Sequence, residues 1–207
     1  MSNKAQTPTG IPSLPNILTT SRILSIPFIV WGILTVGDTY PGFFGNPWVV
    51  IGLFILAGIT DFLDGFLARR WNVTSDFGRM IDPIADKLLV AGCLIALCIT
   101  ADGGWMFLIP SMAIIGRDIL VSGAREHAAL SNRVMPPTNL AKWKTACEML
   151  AIGLLIAWQA AQSWLPIDSA IPTFLDICLY GGLGFLWLAA ILSVYTGSLY
   201  FRASLKD

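Results

Sequence analysis

The chain has 207 residues, of which 55% are hydrophobic and only 13% are charged, and its formal net charge at pH 7 is zero. A soluble domain carries about a quarter charged residues, so this composition argues strongly against a soluble protein with a large core. The balanced charge gives no sign of a polyanion-binding surface, and we expect no nucleic acid partner.

Six apolar segments alternate with polar connections along the chain. Each reaches or approaches the ~20 residues that a helix needs to cross the hydrocarbon layer of a membrane. The segments occupy about 17–36, 48–68, 83–100, 105–125, 143–162 and 174–199. We predict an all-α, polytopic membrane protein whose six transmembrane helices form one domain, 17–207. Residues 1–16 are predicted to form a cytoplasmic or interfacial leader that could include a short interfacial helix.

Basic residues occur on alternate connections. The connection after the second segment has Arg69, Arg70 and Arg79, and the region around the fourth connection has Arg125, Arg133, Lys142 and Lys144. The other three connections contain no Lys or Arg. Since basic loops stay on the cytoplasmic side, we predict that both termini and the second connection face the cytoplasm.

Acidic residues cluster around the second connection. Asp61, Asp64, Gly65 and Ala68 have the i, i+3, i+4, i+7 spacing that places them on one face of a helix. After the connection, the pair Asp82–Pro83 suits a helix start, with aspartate as the N-cap and proline in the first turn. A short connection makes the two helices antiparallel neighbours, so four carboxylates (those of Asp61, Asp64, Asp82 and Asp86) are expected to converge.

Convergent carboxylates at a membrane surface repel one another and lose hydration. A hard divalent cation resolves both problems, and oxygen ligands with substrate phosphates are the usual shell of Mg²⁺ or Mn²⁺. We therefore predict a Mg²⁺ or Mn²⁺ site that binds a phosphorylated substrate. The alternative is that these acids cap helices and form ion pairs with the neighbouring cations Arg69, Arg70, Arg79 and Lys87.

The acidic cluster forms a recognisable motif. It reads Asp61-x-x-Asp64-Gly65-x-x-Ala68-Arg69, then eight residues, Gly78, three residues, Asp82, three residues and Asp86. This pattern resembles the signature of the CDP-alcohol phosphatidyltransferases at every fixed position. Three further segments, 15–27, 116–129 and 142–149, are similar to the bacterial phosphatidylglycerophosphate synthases of that family. One departure is Asp118, where this subfamily usually has glutamate.

The resemblance implies a reaction. Members of the family transfer a phosphatidyl group from a CDP-linked lipid to an alcohol, release CMP and usually form homodimers. For the subfamily the lipid is CDP-diacylglycerol, the alcohol is sn-glycerol 3-phosphate and the product is phosphatidylglycerol phosphate. We therefore expect a homodimer in the inner membrane of a bacterium, with a cytoplasmic active site among membrane lipids.

The resemblance also implies roles for individual residues. Asp61, Asp64 and Asp82 would be metal ligands, and Asp86 would be the catalytic base and could also bind metal. The residues implied to bind CDP-diacylglycerol are Asn16, Thr19, Gly65, Ala68, Arg69, Ser75 and Gly78. For Asn16 and Thr19, the alternative role is capping of the first helix.

The acceptor needs a separate cationic pocket, because the phosphate of glycerol 3-phosphate is not the reacting group. The candidates lie at the inner ends of the fourth and fifth segments and are Arg117, Ser122, Arg125, Lys142 and Lys144. Ser122 and Arg125 are three residues apart and share a helix face. The alternative is that the basic side chains extend to anionic lipid headgroups.

Three other functions are compatible with parts of the pattern. A sister enzyme would use inositol phosphate, serine or phosphatidylglycerol as the acceptor. An intramembrane prenyltransferase would also bind a diphosphate through aspartates, but such enzymes resemble longer chains with two aspartate motifs. An ion-coupled transporter would place its acids near the middle of the membrane in broken helices, whereas these acids lie at a predicted cytoplasmic end.

Overall fold

The structure, a computed structural model, describes residues 14–38, 42–71, 76–130, 139–164 and 172–204. This part of the chain contains six α-helices and no β-strand. The helices are α1 (Leu14–Thr35), α2 (Pro47–Trp71), α3 (Asp76–Thr100), α4 (Trp105–Leu130), α5 (Asn139–Trp164) and α6 (Pro172–Ser204). The predicted all-α class is confirmed. The 1–13 part of the leader lies outside the described residues.

Four of these helices contain an apolar stretch long enough to cross a membrane. The stretches are Ile17–Thr35, Ile81–Thr100, Trp105–Glu126 and Thr173–Phe201. Among the described residues, helix α2 has a shorter apolar stretch, Pro47–Asp61. Charged residues lie near the start of α5. The polytopic membrane architecture is confirmed, and the number of six crossings stays a prediction.

The helices pack around one apolar core. Helix α1 contacts α2 and α3, helix α5 contacts α2, α3 and α6, and helix α4 contacts α3 and α6. Every helix contributes buried side chains to this core, among them Ile29, Phe54, Leu94, Ile114, Ile152 and Leu186. Helices α5 and α6 approach closely at Gly182, where an added Cβ would lie 2.8 Å from the Leu155 side chain. This packing brings the N-terminal ends of α1, α3 and α5 and the C-terminal end of α4 near one another.

The predicted start of the third helix is wrong. Helix α3 begins at Asp76, so Asp82 is not its N-cap and Pro83 lies inside the helix. An internal proline removes one backbone hydrogen bond, and its ring crowds the carbonyl four residues earlier. Helices α1 and α4 likewise contain internal prolines, Pro27 and Pro110. In a membrane bundle, neighbouring helices can provide hydrogen-bond partners for the backbone groups that an internal proline frees. The longer α3 places Asp82 and Asp86 one turn apart within a continuous helix.

The orientation predicts a labelling pattern. In a variant without the four native cysteines, Asp102→Cys lies in the exposed turn between α3 and α4, and Leu140→Cys lies at the start of α5. A membrane-impermeant thiol reagent added to spheroplasts should label residue 102 and spare residue 140 until the membrane is broken. Labelling of residue 140 alone would show that the orientation is the opposite one and that the acidic motif lies at the outer surface.

Candidate active site

A buried arginine on α1 connects two of the four motif aspartates. The side chain of Arg22 is 0% exposed, and its Nη1 lies 2.7 Å from Asp61 Oδ1 on α2 and 3.0 Å from Asp86 Oδ1 on α3. The two carboxylates are themselves about half exposed, at 44% and 53%. They therefore face one buried positive charge on one side and open space on the other.

The third described aspartate also contacts α1. Thr19 lies one turn before Arg22 on the same helix face, and its buried hydroxyl donates to Asp82 Oδ1 at 2.6 Å. Helix α1 thus contacts Asp82 and Asp86 on consecutive turns of α3. The structure brings Asp61, Asp82 and Asp86 to one end of the α1–α2–α3 group.

Several predicted residues lie outside what the structure describes. This applies to Ser75 as a whole and to the side chains of Asn16, Asp64, Ala68 and Arg69, and nothing is described of the surroundings of Gly65 and Gly78. Within the described side chains, no three of the His, Cys, Asp and Glu residues form a group that could hold a metal ion. The predicted four-carboxylate site therefore stays a prediction.

The donor chemistry of the described aspartates nevertheless fits a hard divalent cation. Their ligand atoms are carboxylate oxygens, which suit Mg²⁺ and Mn²⁺ better than softer metals. Asp61 and Asp86 already converge on one positive charge, that of Arg22. Their half-exposed oxygens leave a side accessible to a cation bound together with phosphate.

A cleft of about 1060 Å³ opens beside Asp86, between α3, α4 and α5. All five residues predicted for the acceptor pocket line it. Its polar and charged lining consists of Asp86, Lys87, Arg117, Asp118, Ser122, Arg125, Glu126, Lys142, Lys144, Thr145 and Glu148. The cleft therefore combines the predicted catalytic base with the cations predicted to bind the acceptor phosphate.

Four charged residues that line this cleft form a largely buried ion-pair network. Asp118 Oδ1 lies 2.9 Å from Arg117 Nη1 and 2.6 Å from Lys144 Nζ. Lys144 Nζ also lies 2.6 Å from Glu148 Oε1 on the same helix. Arg117 Nη2 donates to Thr196 Oγ1 at 3.0 Å, so the network connects α4, α5 and α6. The shorter side chain of Asp118 still reaches both cations.

Arg125 contacts a tyrosine that the sequence analysis did not identify. Its Nη2 donates to Tyr200 Oη at 3.0 Å, and its guanidinium carbon lies 5.0 Å from the centre of the Tyr200 ring. Hydrogen bonding and a cation–π contact together fix the direction of a long side chain. Helix α6, although mainly hydrophobic, thus supplies polar partners to two arginines that line the cleft, Arg117 and Arg125.

Two buried charges could have been identified from the sequence as functional candidates. Arg22 lies within an apolar helix and Glu148 lies within the fifth apolar segment. An ionisable residue inside a membrane span usually has a partner or a function. The partners of Arg22 could not be predicted, because Asp61 and Asp86 are separated from it by long stretches of chain. The partner of Glu148 could have been, because Lys144 lies four residues earlier on the same helix.

Comparisons with known proteins give one family. The model of the CDP-alcohol phosphatidyltransferase family matches residues 12–195. A Rickettsia felis protein named CDP-diacylglycerol–glycerol-3-phosphate 3-phosphatidyltransferase is 39% identical over 194 residues, which cover 94% of this chain and 96% of the relative. A Rickettsia bellii protein of the same name is 40% identical over 197 residues, with the same coverage.

A differently named relative has similar coverage of this chain. The rice (Oryza sativa subsp. japonica) protein named cardiolipin synthase (CMP-forming) is 34% identical over an alignment of 209 positions, and the match covers 94% of this chain. The match covers only 58% of the rice protein's length. The printed names of these relatives therefore differ in the reaction that they state.

Proposed function

We propose that this chain, which belongs to the CDP-alcohol phosphatidyltransferase family, transfers a phosphatidyl group from CDP-diacylglycerol to sn-glycerol 3-phosphate and releases CMP. The observation that carries the proposal is the cleft in which Asp86 faces several cationic side chains. Two relatives named for this reaction match 94% of the chain. An acceptor that itself carries a phosphate group explains why a cationic cleft adjoins the acidic motif.

The reaction exchanges a phosphoanhydride bond for a phosphate ester bond. The acceptor hydroxyl oxygen forms a bond to the lipid-linked phosphorus, and the bond from that phosphorus to the oxygen bridging to CMP breaks. CMP leaves with the electron pair of that bond. Asp86 is proposed to accept the hydroxyl proton, because its half-exposed carboxylate lines the cleft while Arg22 fixes its orientation.

The donor would be held by the acidic motif and its neighbours. Asp61, Asp64 and Asp82, together with Asp86, are proposed to hold Mg²⁺ or Mn²⁺, which suits a family that is generally dependent on divalent metal ions. When bound, such an ion neutralises the diphosphate and stabilises the departing CMP. The proposed contacts to CDP-diacylglycerol come from Asn16, Thr19, Gly65, Ala68, Arg69, Ser75 and Gly78.

The acceptor would enter the cleft from the cytoplasm. Arg117, Ser122, Arg125, Lys142 and Lys144 are proposed to bind its phosphate group or to shape the pocket for it. Charge-assisted hydrogen bonds to a phosphate dianion are stronger than those between neutral groups. The proposed setting is the inner membrane of a bacterium, with both termini cytoplasmic and two chains forming a homodimer.

A second candidate keeps the reaction and changes the acceptor to phosphatidylglycerol. The rice relative named cardiolipin synthase supports it. That acceptor is a lipid whose phosphate is a diester with one negative charge, and its hydroxyl would have to reach Asp86 from the membrane. The number of cations in the cleft favours the more highly charged, soluble acceptor.

An acceptor panel tests the proposal. Purified protein is given CDP-diacylglycerol, Mg²⁺ or Mn²⁺ and, separately, glycerol 3-phosphate, glycerol, serine, inositol phosphate or phosphatidylglycerol. We expect CMP release with glycerol 3-phosphate and a phosphatidylglycerol phosphate product in the lipid extract. CMP release that requires a different acceptor from this panel would overturn the assignment while leaving the family unchanged.

A further inference from the structure

The cations of the acceptor cleft fall into two groups. Arg117 and Lys144 are held by the carboxylates of Asp118 and Glu148, so two positive charges meet two negative charges. Lys144 and Glu148 are only 3% and 2% exposed. A buried, mutually neutralised network has little positive charge to offer an incoming dianion.

The second group consists of cations that pair with no carboxylate among the described side chains, and Lys87 belongs to it. It follows Asp86 on α3, and its Nζ contacts Ser122 Oγ across the cleft on α4. Ser122 in turn donates to the Asp118 backbone carbonyl at 2.7 Å. No carboxylate among the described side chains forms an ion pair with Lys87, whose hydroxyl partner is neutral.

The Lys87 ammonium has N–H donors that remain available for a ligand. An ammonium carries three N–H donors, and the contact with Ser122 uses one of them. Arg125 is similar, because Tyr200 accepts from one of the five N–H donors of its guanidinium. Both side chains line the same cleft as Asp86, and Glu126 and Lys142 are exposed at its edge.

Resting on the function proposed above, we propose that Lys87 binds the acceptor phosphate together with Arg125. Lys87 is then a specificity-determining residue that selects a phosphorylated alcohol over a neutral one. Lys87 and Asp86 line the same cleft, so one acceptor could contact both the ammonium and the group that receives the hydroxyl proton. Arg117 and Lys144 instead pair with Asp118 and Glu148 and connect α4 with α5. The proposed ligands of the phosphate are therefore Lys87 and Arg125.

The test compares two acceptors that differ by the phosphate group. Purified full-length protein with CDP-diacylglycerol and Mg²⁺ or Mn²⁺ is titrated with glycerol 3-phosphate and, separately, with glycerol. Lys87→Met should raise the KM for glycerol 3-phosphate by at least about tenfold, since it removes a charge-assisted contact. The KM for CDP-diacylglycerol and the efficiency with glycerol should change much less. Lys87→Arg, which keeps the charge, should recover much of the preference for the phosphorylated acceptor.

Lys144→Met is the matched comparison, because it removes the same charge from the same cleft. It should lower the unfolding temperature, since Glu148 and Asp118 lose their shared partner, and it should change the preference for glycerol 3-phosphate over glycerol less than Lys87→Met does. Lys87→Gln provides a second charge-free variant if the methionine variant does not fold.

The outcomes separate this inference from the proposed function. If the unsubstituted protein releases no CMP with glycerol 3-phosphate, the proposed function is wrong. If it does, and Lys87→Met leaves the KM for that acceptor unchanged or raises the KM for CDP-diacylglycerol equally, the assignment of Lys87 is wrong. A loss of acceptor preference in Lys144→Met but not in Lys87→Met would also overturn it.

Discussion

Asp61→Asn is expected to reduce CMP release at least ~100-fold, because in the proposed site the substitution removes a metal ligand and its negative charge together. Asp61 faces the buried Arg22 and keeps a half-exposed carboxylate. The asparagine side chain has a similar shape, so the loss should come from charge and not from packing. The measurement is the initial rate of CMP release at saturating concentrations of both substrates.

Two controls accompany this variant. Asp102→Asn makes the same chemical change in the exposed turn between α3 and α4, and its rate should equal that of the unsubstituted protein. Chelation with EDTA should abolish activity, and added Mg²⁺ or Mn²⁺ should restore it. Full turnover in metal-stripped protein, or a rate for Asp61→Asn within a few-fold of the parent, would refute the metal site.

Arg125→Ala is expected to weaken the apparent affinity for glycerol 3-phosphate by about 10- to 150-fold, the range for loss of a charge-assisted contact. Arg125 lines the cleft, and its guanidinium donates a hydrogen bond to Tyr200 Oη. Lysine at this position would keep the charge and lose the planar fork, so Arg125→Lys should fall between the parent and the alanine variant.

Saturation curves for both substrates test this prediction. The KM for CDP-diacylglycerol should change far less than that for glycerol 3-phosphate. Tyr200→Phe removes the hydroxyl that accepts from Arg125 and keeps the ring, so it should have a smaller effect in the same direction. A shift in the CDP-diacylglycerol curve alone would assign Arg125 to the nucleotide site.

The sequence was sufficient to predict the helical class. Regular spacing of Asp82 and Asp86 determines which side chains share a helix face. The position of α1, which contacts both α2 and α3 and binds their aspartates through Arg22 and Thr19, was not predicted. The candidate acceptor residues on α4 and α5 were found because basic residues gather at the predicted cytoplasmic ends.

The pairing of charges could not be predicted in the same way. Whether Lys144 binds a ligand or a carboxylate depends on how α4 and α5 pack, since Asp118 is 26 residues away. The contact between Lys87 and Ser122 likewise depends on the packing of α3 against α4. The start of α3 was misplaced because Asp-Pro is a good local helix start, and continuation of the helix through Pro83 is not visible in local sequence.

The most direct measurement is a competition between acceptors. Purified protein receives CDP-diacylglycerol, Mg²⁺ or Mn²⁺ and an equimolar mixture of isotopically labelled glycerol 3-phosphate and phosphatidylglycerol, and the lipid products are identified by mass spectrometry. We predict that labelled phosphatidylglycerol phosphate accumulates in proportion to the CMP released, with little cardiolipin. Cardiolipin as the dominant product, with no label in phosphatidylglycerol phosphate, would contradict the proposed reaction.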